Sequence, residues 1–541
     1  MLDVGRHPNI NLLAYTEVEK VEGTAGDFKV TVRKKNRYVH ADKCTGCGAC
    51  AAKCPMQVAD AFNEGMGTRG AIYSYFAQGI PSTHTTDADH CRQLNGKKCG
   101  ICQKVCQADA IDFEMTESFE TLEVGAIIAS PGYAVFDPSA IPEYRYNELP
   151  NVVTALEFER LLSASGPTHG HLDRPSDIAA NEEIAALEKQ VKKSGRSLAS
   201  SEKKFEESSE AFIAKFDKGE YAGDEAREKW AEKIRAHKDA EASLAALKEK
   251  AKSFTVAKKL AFIQCVGSRD FRFFPFCSGY CCMHSIKEAI IANEHEPETT
   301  STIFGMDIRA VGKGFEEYKV RGGNNSGITY VRGRVAEISE GTDNCPKVTF
   351  EDTRERLVKE EEFDMVVLAT ACAPTKGTAE LAEKLGFELT SQGFVKTSPL
   401  SPVDTTVPGV FVCGCAQTPM DVPESVAQSS SAAERAAEIV TTSANKQACW
   451  ITKPKKSGSA CSSATAAPTS RATSTWKPSR RTPRRVPTWP WRCATSTPAP
   501  RTGSTRSRRP SSRRTSTAWS WPPAPPAPTS PCSAPPARKR A

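Results

Sequence analysis

The spacing of apolar positions changes several times along the chain, and each change marks a boundary. Residues 1–36 alternate apolar and polar side chains, as in FKVTVRK, which predicts strands of a sheet. In TLEVGAIIASPGY (121–133) a short apolar run ends at Pro131-Gly132, the pattern of a buried strand entering a tight turn. From Ala257 the segments KLAFIQCVGS, CCMHSIKEAIIANEH, STIFGMDIRA, a Gly-rich helical stretch and ITYVRGRVAEIS read strand, helix, strand, helix, strand. That alternation predicts a parallel α/β sheet. FDMVVLATA (363–371) and PGVFVCGCA (408–416) add two buried strands, and PESVAQSSSAAERAAEIV reads as a closing helix with Pro423 available to start it.

A different period governs residues 178–254, which contain neither Pro nor Cys. Val191, Leu198, Phe205 and Phe212 recur every seven residues. After a break at Asp217–Asp224, Trp230, Ile234, His237, Leu244, Leu247 and Ala251 repeat at three, four and seven. The simple reading is two helices folded into an antiparallel coiled-coil hairpin, the bland one a single solvated helix with a break. Beyond about residue 445 the sequence is Arg, Ser, Thr, Pro and Ala without period. It is expected to be disordered, as a basic arm or the product of a shifted reading frame.

Charge follows the same division. Residues 441–541 hold 20 of the 72 Lys/Arg and none of the 65 Asp/Glu, so residues 1–440 carry 52 against 65, a net of −13. The chain's +7 therefore comes from the tail, and the acidic body argues against nucleic acid as a partner. With no export signal and no apolar run of about 18 residues, a soluble cytoplasmic protein is expected. In that reducing setting, 20 cysteines point to metal or catalysis before disulfides.

Their spacing is specific. Cys44-x2-Cys47-x2-Cys50-x3-Cys54-Pro55 is the run that wraps thiolates around an iron–sulfur cube, and Cys91-x7-Cys99-x2-Cys102-x3-Cys106 supplies its complement. In two-cluster ferredoxins the fourth Cys of each run crosses to the other cluster. That rule groups Cys44, Cys47, Cys50 and Cys106 on one [4Fe-4S] cluster and Cys54, Cys91, Cys99 and Cys102 on a second. Zinc, which favours paired C-x2-C units, is the rival. Cys265, Cys277, Cys281 and Cys282 form a third set at a strand-to-helix junction, open to a cluster or to a strained Cys281/Cys282 redox pair. Cys345, Cys372, Cys413, Cys415 and Cys449 are expected to be buried small hydrophobes. His84, His90 and His284 show no partner set.

DKCTGCGACAAKCP, CRQLNGKKCGICQKVC, FIQCVGSRD, YCCMHSIKEAI and GVFVCGCAQTPMDVPESVAQ, in that order, resemble the family of the heterodisulfide reductase A subunit over roughly 1–177 and 256–440. The resemblance implies an α/β fold of two thioredoxin-reductase-like lobes, incomplete here, with an inserted 2[4Fe-4S] ferredoxin module. It divides the chain into an FAD-lobe remnant (1–36), the ferredoxin insert (37–114), the FAD lobe continued (115–177), the hairpin (178–254), a second lobe like an NAD(P)H domain (255–398), the closing FAD-lobe strand and helix (399–445) and the tail (446–541). It also implies a third cluster on Cys265, Cys277, Cys281 and Cys282, and FAD against Ser130-Pro131-Gly132 and Gly414-Cys415-Ala416 with Pro423, Glu424, Ser425 and Val426. Lys287 becomes the charge that would stabilise a reduced, anionic flavin.

Such proteins relay electrons between clusters and FAD inside multi-subunit complexes, some splitting electron pairs, with other reductase subunits, ferredoxin or a hydrogenase- or dehydrogenase-type donor as partners. The family opens on a strand–GxGxxG–helix unit that cradles the FAD pyrophosphate. No such unit occurs here, so the chain reads as lacking that front and carrying an aberrant tail. Two other readings differ in class: a ferredoxin-type wire without flavin, and a pyridine-nucleotide disulfide oxidoreductase using Cys281 and Cys282. Against the last, CVGSRD stands where a nicotinamide fingerprint would be expected.

Overall fold

The computed structural model describes residues 2–205, 207–218 and 225–451, with side chains as far as residue 442. The tail beyond Ile451, on which the expectation of disorder falls, lies outside the described residues.

Strand Lys259–Val266 occupies the interior of a seven-stranded sheet. The order is Val152–Thr154, Met365–Thr370, Lys259–Val266, Thr300–Gly305, Ile328–Glu340, Pro346–Asp352 and Leu357–Glu362. The first five run parallel and the last two add an antiparallel meander. Parallel strands buried on both faces need continuous apolar runs, and every residue of Met365–Thr370 is buried. One face packs Leu260, Phe262, Met365 and Val367 against helices Ala155–Leu162 and Cys281–His295. The other packs Ala261, Ile263, Val366 and Leu368 against Phe304, Phe350 and Phe363. Each of the Leu, Ile, Val, Phe and Met side chains among them contributes about 1.5–3 kcal/mol of transfer free energy. From Lys259–Val266 the chain builds outward through Thr300–Gly305 and Ile328–Glu340, then returns to the opposite side as Met365–Thr370. The strand order reverses between Lys259–Val266 and Met365–Thr370, and crevices in such sheets open at the carboxyl ends of the strands flanking that reversal.

A second group of strands comes from both ends of the described chain. Thr16–Thr24, Asp27–Lys34 and Ser118–Val124 form an antiparallel sheet, and Ile127–Ala129 runs parallel to Val410–Val412. Phe28, Ala129, Val410, Val412 and Ala416 fill its core. The cysteine-rich segment leaves this sheet after Lys34 and rejoins it at Ser118, its direct partner across the ladder.

Two segments depart from the expected divisions. Residues 115–177 do not stay in one lobe: Ser118–Val124 and Ile127–Ala129 lie with the strands just described. Val152–Thr154, buried at all three positions, pairs instead with Met365–Thr370. Among the described residues, the helical segment between them and the second lobe has three helices, not two. Pro175–Phe205 and Glu225–Ala251 lie antiparallel, bringing Glu188 to Lys248 and Ser194 to His237. The seven-residue repeat does not run on from Phe205 to Phe212, because Ser208 caps a separate helix, Ser209–Phe216, by accepting the Ala211 N–H. Phe212 then stacks on Trp230 with ring centroids 4.0 Å apart.

Candidate functional site

Two short helices, Ala49–Ala52 and Ile101–Val105, organise the cysteine-rich module. Each begins after a glycine in the left-handed region, Gly48 at φ 78° and Gly100 at φ 71°, where a side chain would be strained. The glycines sit inside the repeated C-G-x-C units Cys47–Cys50 and Cys99–Cys102, so each turn brings two thiols to one cavity. A cavity of about 300 Å³ is lined by Cys44, Cys47, Cys50 and Cys106, with buried His84 beside them. A second, smaller cavity is lined by Cys54, Cys91, Cys99 and Cys102. The Ala49 N–H and the Thr45 hydroxyl hold the Cys47 thiol below its ordinary range, which suits a thiolate ligand. Burial pushes the Cys102 thiol up to about 11, so without a metal it stays protonated. The Ala110 N–H also points at Cys106 Sγ, 3.4 Å away.

The third set depends on a defect in a strand. Pairing between Lys259–Val266 and Met365–Thr370 slips between Ile263 and Val266, and Cys265 takes φ 63°, rare for a residue with a side chain. Burial pushes its thiol up, and the neighbouring Cys282 and Cys277 thiols push it further. Cys281 and Cys282 open helix Cys281–His295, adjacent in sequence and both buried. The Gly279 N–H approaches Cys277 Sγ at 3.4 Å, the Arg309 N–H faces Cys282, and the Arg269 guanidinium offsets negative charge at both Cys265 and Cys282. Four thiols therefore gather beside the point where the strand order reverses, with cationic and N–H compensation built in.

Next to them lies a cavity of about 530 Å³ with largely apolar walls, among them Tyr133, Val135, Leu156, Met283, Phe315 and Met420. Of the residues expected near a flavin, Lys287, Cys415, Pro423 and Ser425 line it. Gly414, Ala416, Glu424 and Val426 do not, and neither do Ser130, Pro131 and Gly132, although the following residue, Tyr133, does. Gly132 takes φ 78° in that turn, with open space where a side chain would stand. Glu424 acts locally: its carboxylate accepts the Asp421 N–H at 3.2 Å while Asp421 accepts the Glu424 N–H at 2.8 Å, closing the start of helix Val422–Ile451.

One wall carries an ionic group that the spacing of His284 did not reveal. His284 Nε2 lies 2.8 Å from Glu159 and 3.1 Å from the fully buried Glu288, and Lys287 Nζ is 3.4 Å from Glu159. Burial alone would lower the His284 pKa, but the two carboxylates raise it to about 9. The His284 hydrogen bond holds Glu159 down at about 2, whereas burial raises Glu288. The i,i+4 pair His284/Glu288 was present in the sequence as a signal, but Glu159 comes from a helix 125 residues away.

Cubane-type thiol pockets in a small module, joined to a parallel α/β sheet with thiols at its reversal point, define an iron–sulfur protein of the redox class. A family model described as a 4Fe-4S binding domain matches residues 37–59. The chain belongs to the heterodisulfide reductase A-subunit family. It is 38% identical over 462 residues to the heterodisulfide reductase A-subunit-like protein of Archaeoglobus profundus, covering 81% of this chain and 58% of that protein. It is 40% identical to the second iron–sulfur A subunit of CoB–CoM heterodisulfide reductase from Methanopyrus kandleri (81% and 55%). To the A subunit of the H2:CoB-CoM heterodisulfide,ferredoxin reductase of Methanothermobacter thermautotrophicus it is 36% identical (81% and 54%). The chain thus spans little more than half the length of the curated relatives it matches. Among solved structures it is similar to Lactococcus lactis thioredoxin reductase, with 19% identity, a TM-score of 0.25, and 34% of this chain and 54% of that one covered. Among the described residues no helix is long and apolar enough to cross a membrane.

Proposed function

We propose that the chain is the electron-relaying part of a heterodisulfide-reductase-A-type iron–sulfur flavoprotein, working with other subunits of such a complex and with ferredoxin or a hydrogenase- or dehydrogenase-type donor. The observation that carries this reading is the partition of eight cysteines between two cavities, with Cys106 lining the first and Cys54 the second. Each run lends its last thiol to the other site, the arrangement of two [4Fe-4S] clusters. Cys265, Cys277, Cys281 and Cys282 would hold a third, their thiolates compensated by Arg269 and the Arg309 N–H.

The 530 Å³ cavity fits a flat fused ring: apolar walls, with a polar rim of Lys287, His284 and Ser425. FAD bound there would supply a carrier able to take electrons singly or in pairs. Lys287 would hold positive charge against the reduced ring, and Glu159 would orient it through their ion pair. Protonated His284 adds a second positive charge to the same wall at neutral pH. The Tyr133 and Tyr280 rings, 5.9 Å apart, both line that space.

Anaerobic reconstitution followed by metal and flavin analysis tests the proposal. About twelve iron and about one FAD per chain support it; about eight iron without flavin makes the chain a ferredoxin-type wire, and zinc sinks it.

A further inference from the structure

The ionic group on the cavity wall has the composition of a metal site. His284 and Glu288 lie one turn apart on helix Cys281–His295, so their side chains leave one face together. Glu159 reaches the same point from helix Ala155–Leu162, which packs beside it. One imidazole nitrogen and one oxygen from each carboxylate all fall within 4.8 Å of one another. His284 Nε2 stands 2.8 Å from Glu159 Oε2 and 3.1 Å from Glu288 Oε1. Adjacent ligands about 2.1 Å from an octahedral ion stand about 3.0 Å apart, so both spacings already match one coordination sphere.

Hydrogen bonding within the group does not account for Glu288. Its side chain is 0% exposed, yet neither carboxylate oxygen accepts a well-directed hydrogen bond from any described residue. A buried acid left so is costly unless a cation completes it. Glu159 is placed differently: Oε2 faces His284, while Oε1 lies 3.4 Å from Lys287 Nζ, which fixes the direction of the carboxylate. Its side chain is 43% exposed and lines the 530 Å³ cavity with His284, giving an ion a route inward and room for bound water. Phe158, Leu161, Ile286 and Ala289, all fully buried, lock the two helices against the sheet.

We propose that Glu159, His284 and Glu288 form a mononuclear site for a divalent first-row metal ion, with water completing its coordination. Two carboxylates and one neutral imidazole balance the charge of the ion and give the mixed oxygen–nitrogen set that suits Mn²⁺ and Fe²⁺. His284 gives up its proton to solvent as the ion binds, so the wall stays positive beside Lys287. The site uses no thiol and depends on neither cluster nor flavin.

Mn²⁺ is the probe, because thiolates compete poorly for it. The full chain, reconstituted anaerobically with iron and sulfide and passed over a chelating resin, is titrated with Mn²⁺ while the free ion is read by paramagnetic resonance. The expected result is saturable uptake of about one Mn²⁺ per chain at unchanged iron content. E288Q and H284Q should each weaken that binding by at least about tenfold, with circular dichroism like that of wild type. C265S, which removes a thiol of the third set, and E294Q, an exposed position on the same helix, should bind as wild type does. The proposal is overturned if uptake does not saturate near one ion per chain, if E288Q and H284Q both retain wild-type binding, or if C265S abolishes it. Should one of the two ligand variants fail to fold, the other decides.

Discussion

At Cys265 one slipped pairing in an otherwise regular strand turns a core position into a thiol that faces three others. The C-x2-C spacings announce their own geometry, because ligands a few residues apart share one turn; the bulge at Cys265 has no comparable signature, since nothing in FIQCVGS fixes where the ladder slips. The same limit hid Glu159 as a partner of His284, for side chains 125 residues apart meet only once the sheet has formed. Two expectations belong to this scale. C102S should lower bound iron by about four per chain, and C265S should do the same from the third site while leaving the ferredoxin-type signals intact, by iron assay and paramagnetic resonance. His284 has a folded pKa of about 9, above its unfolded value of about 6.5. Its contribution to stability is therefore complete below about pH 6.5 and is lost as pH rises through 9. Glu159, held near 2, contributes above its unfolded range and loses that contribution as pH falls toward 2. E159Q should cost about 1–3 kcal/mol in denaturant unfolding near pH 7, with the cost shrinking above pH 9. An imidazole resonance titrating near 6.5 in the intact protein would contradict this.

Among the elements, the helical hairpin was legible through its period, and so were the strands of the parallel sheet, because burial on both faces writes long apolar runs such as MVVLAT. Val152–Thr154 was not legible: three residues are too few to show a period, and its assignment to the larger sheet comes wholly from pairing with Met365–Thr370. The break before Ser209–Phe216 escaped because Phe212 keeps the heptad spacing while sitting on another helix. Trp230, 2% exposed and stacked between Phe205 and Phe212, anchors that cluster. W230A should destabilise the hairpin by about 3–5 kcal/mol, seen as a separate early transition in calorimetry, with iron content unchanged. The Ala257 N–H bonds the Leu172 carbonyl at 2.8 Å, so the chain enters and leaves the helical segment at adjacent points. Replacing residues 178–254 by a short Gly/Ser linker should accordingly leave soluble protein with its full iron complement. Aggregation of that variant would show that the hairpin supports the sheet.

Over the whole molecule, the acidic body and the cysteine runs could be read directly, whereas the cavity could not: its walls come from six separated stretches of chain, near residues 133, 156, 283, 315, 370 and 420. Lys287 illustrates the gap, since its helix was predictable but its ion pair with Glu159 required the helix opposite. Dialysis of reconstituted protein against an iron chelator under reducing conditions should remove the visible absorption of the clusters while the α/β sheet persists by circular dichroism, because the hydrophobic clusters of that sheet contain none of the eight ferredoxin-module cysteines. Loss of both signals together would mean that the metal holds the sheet. The cysteine-rich module, for its part, hangs from Lys34 and Ser118, which already face each other across a ladder. A neck so narrow makes the module a cassette: descent could exchange one set of cubes for another, and with it the voltage window of the relay, without asking the remaining scaffold to be redrawn.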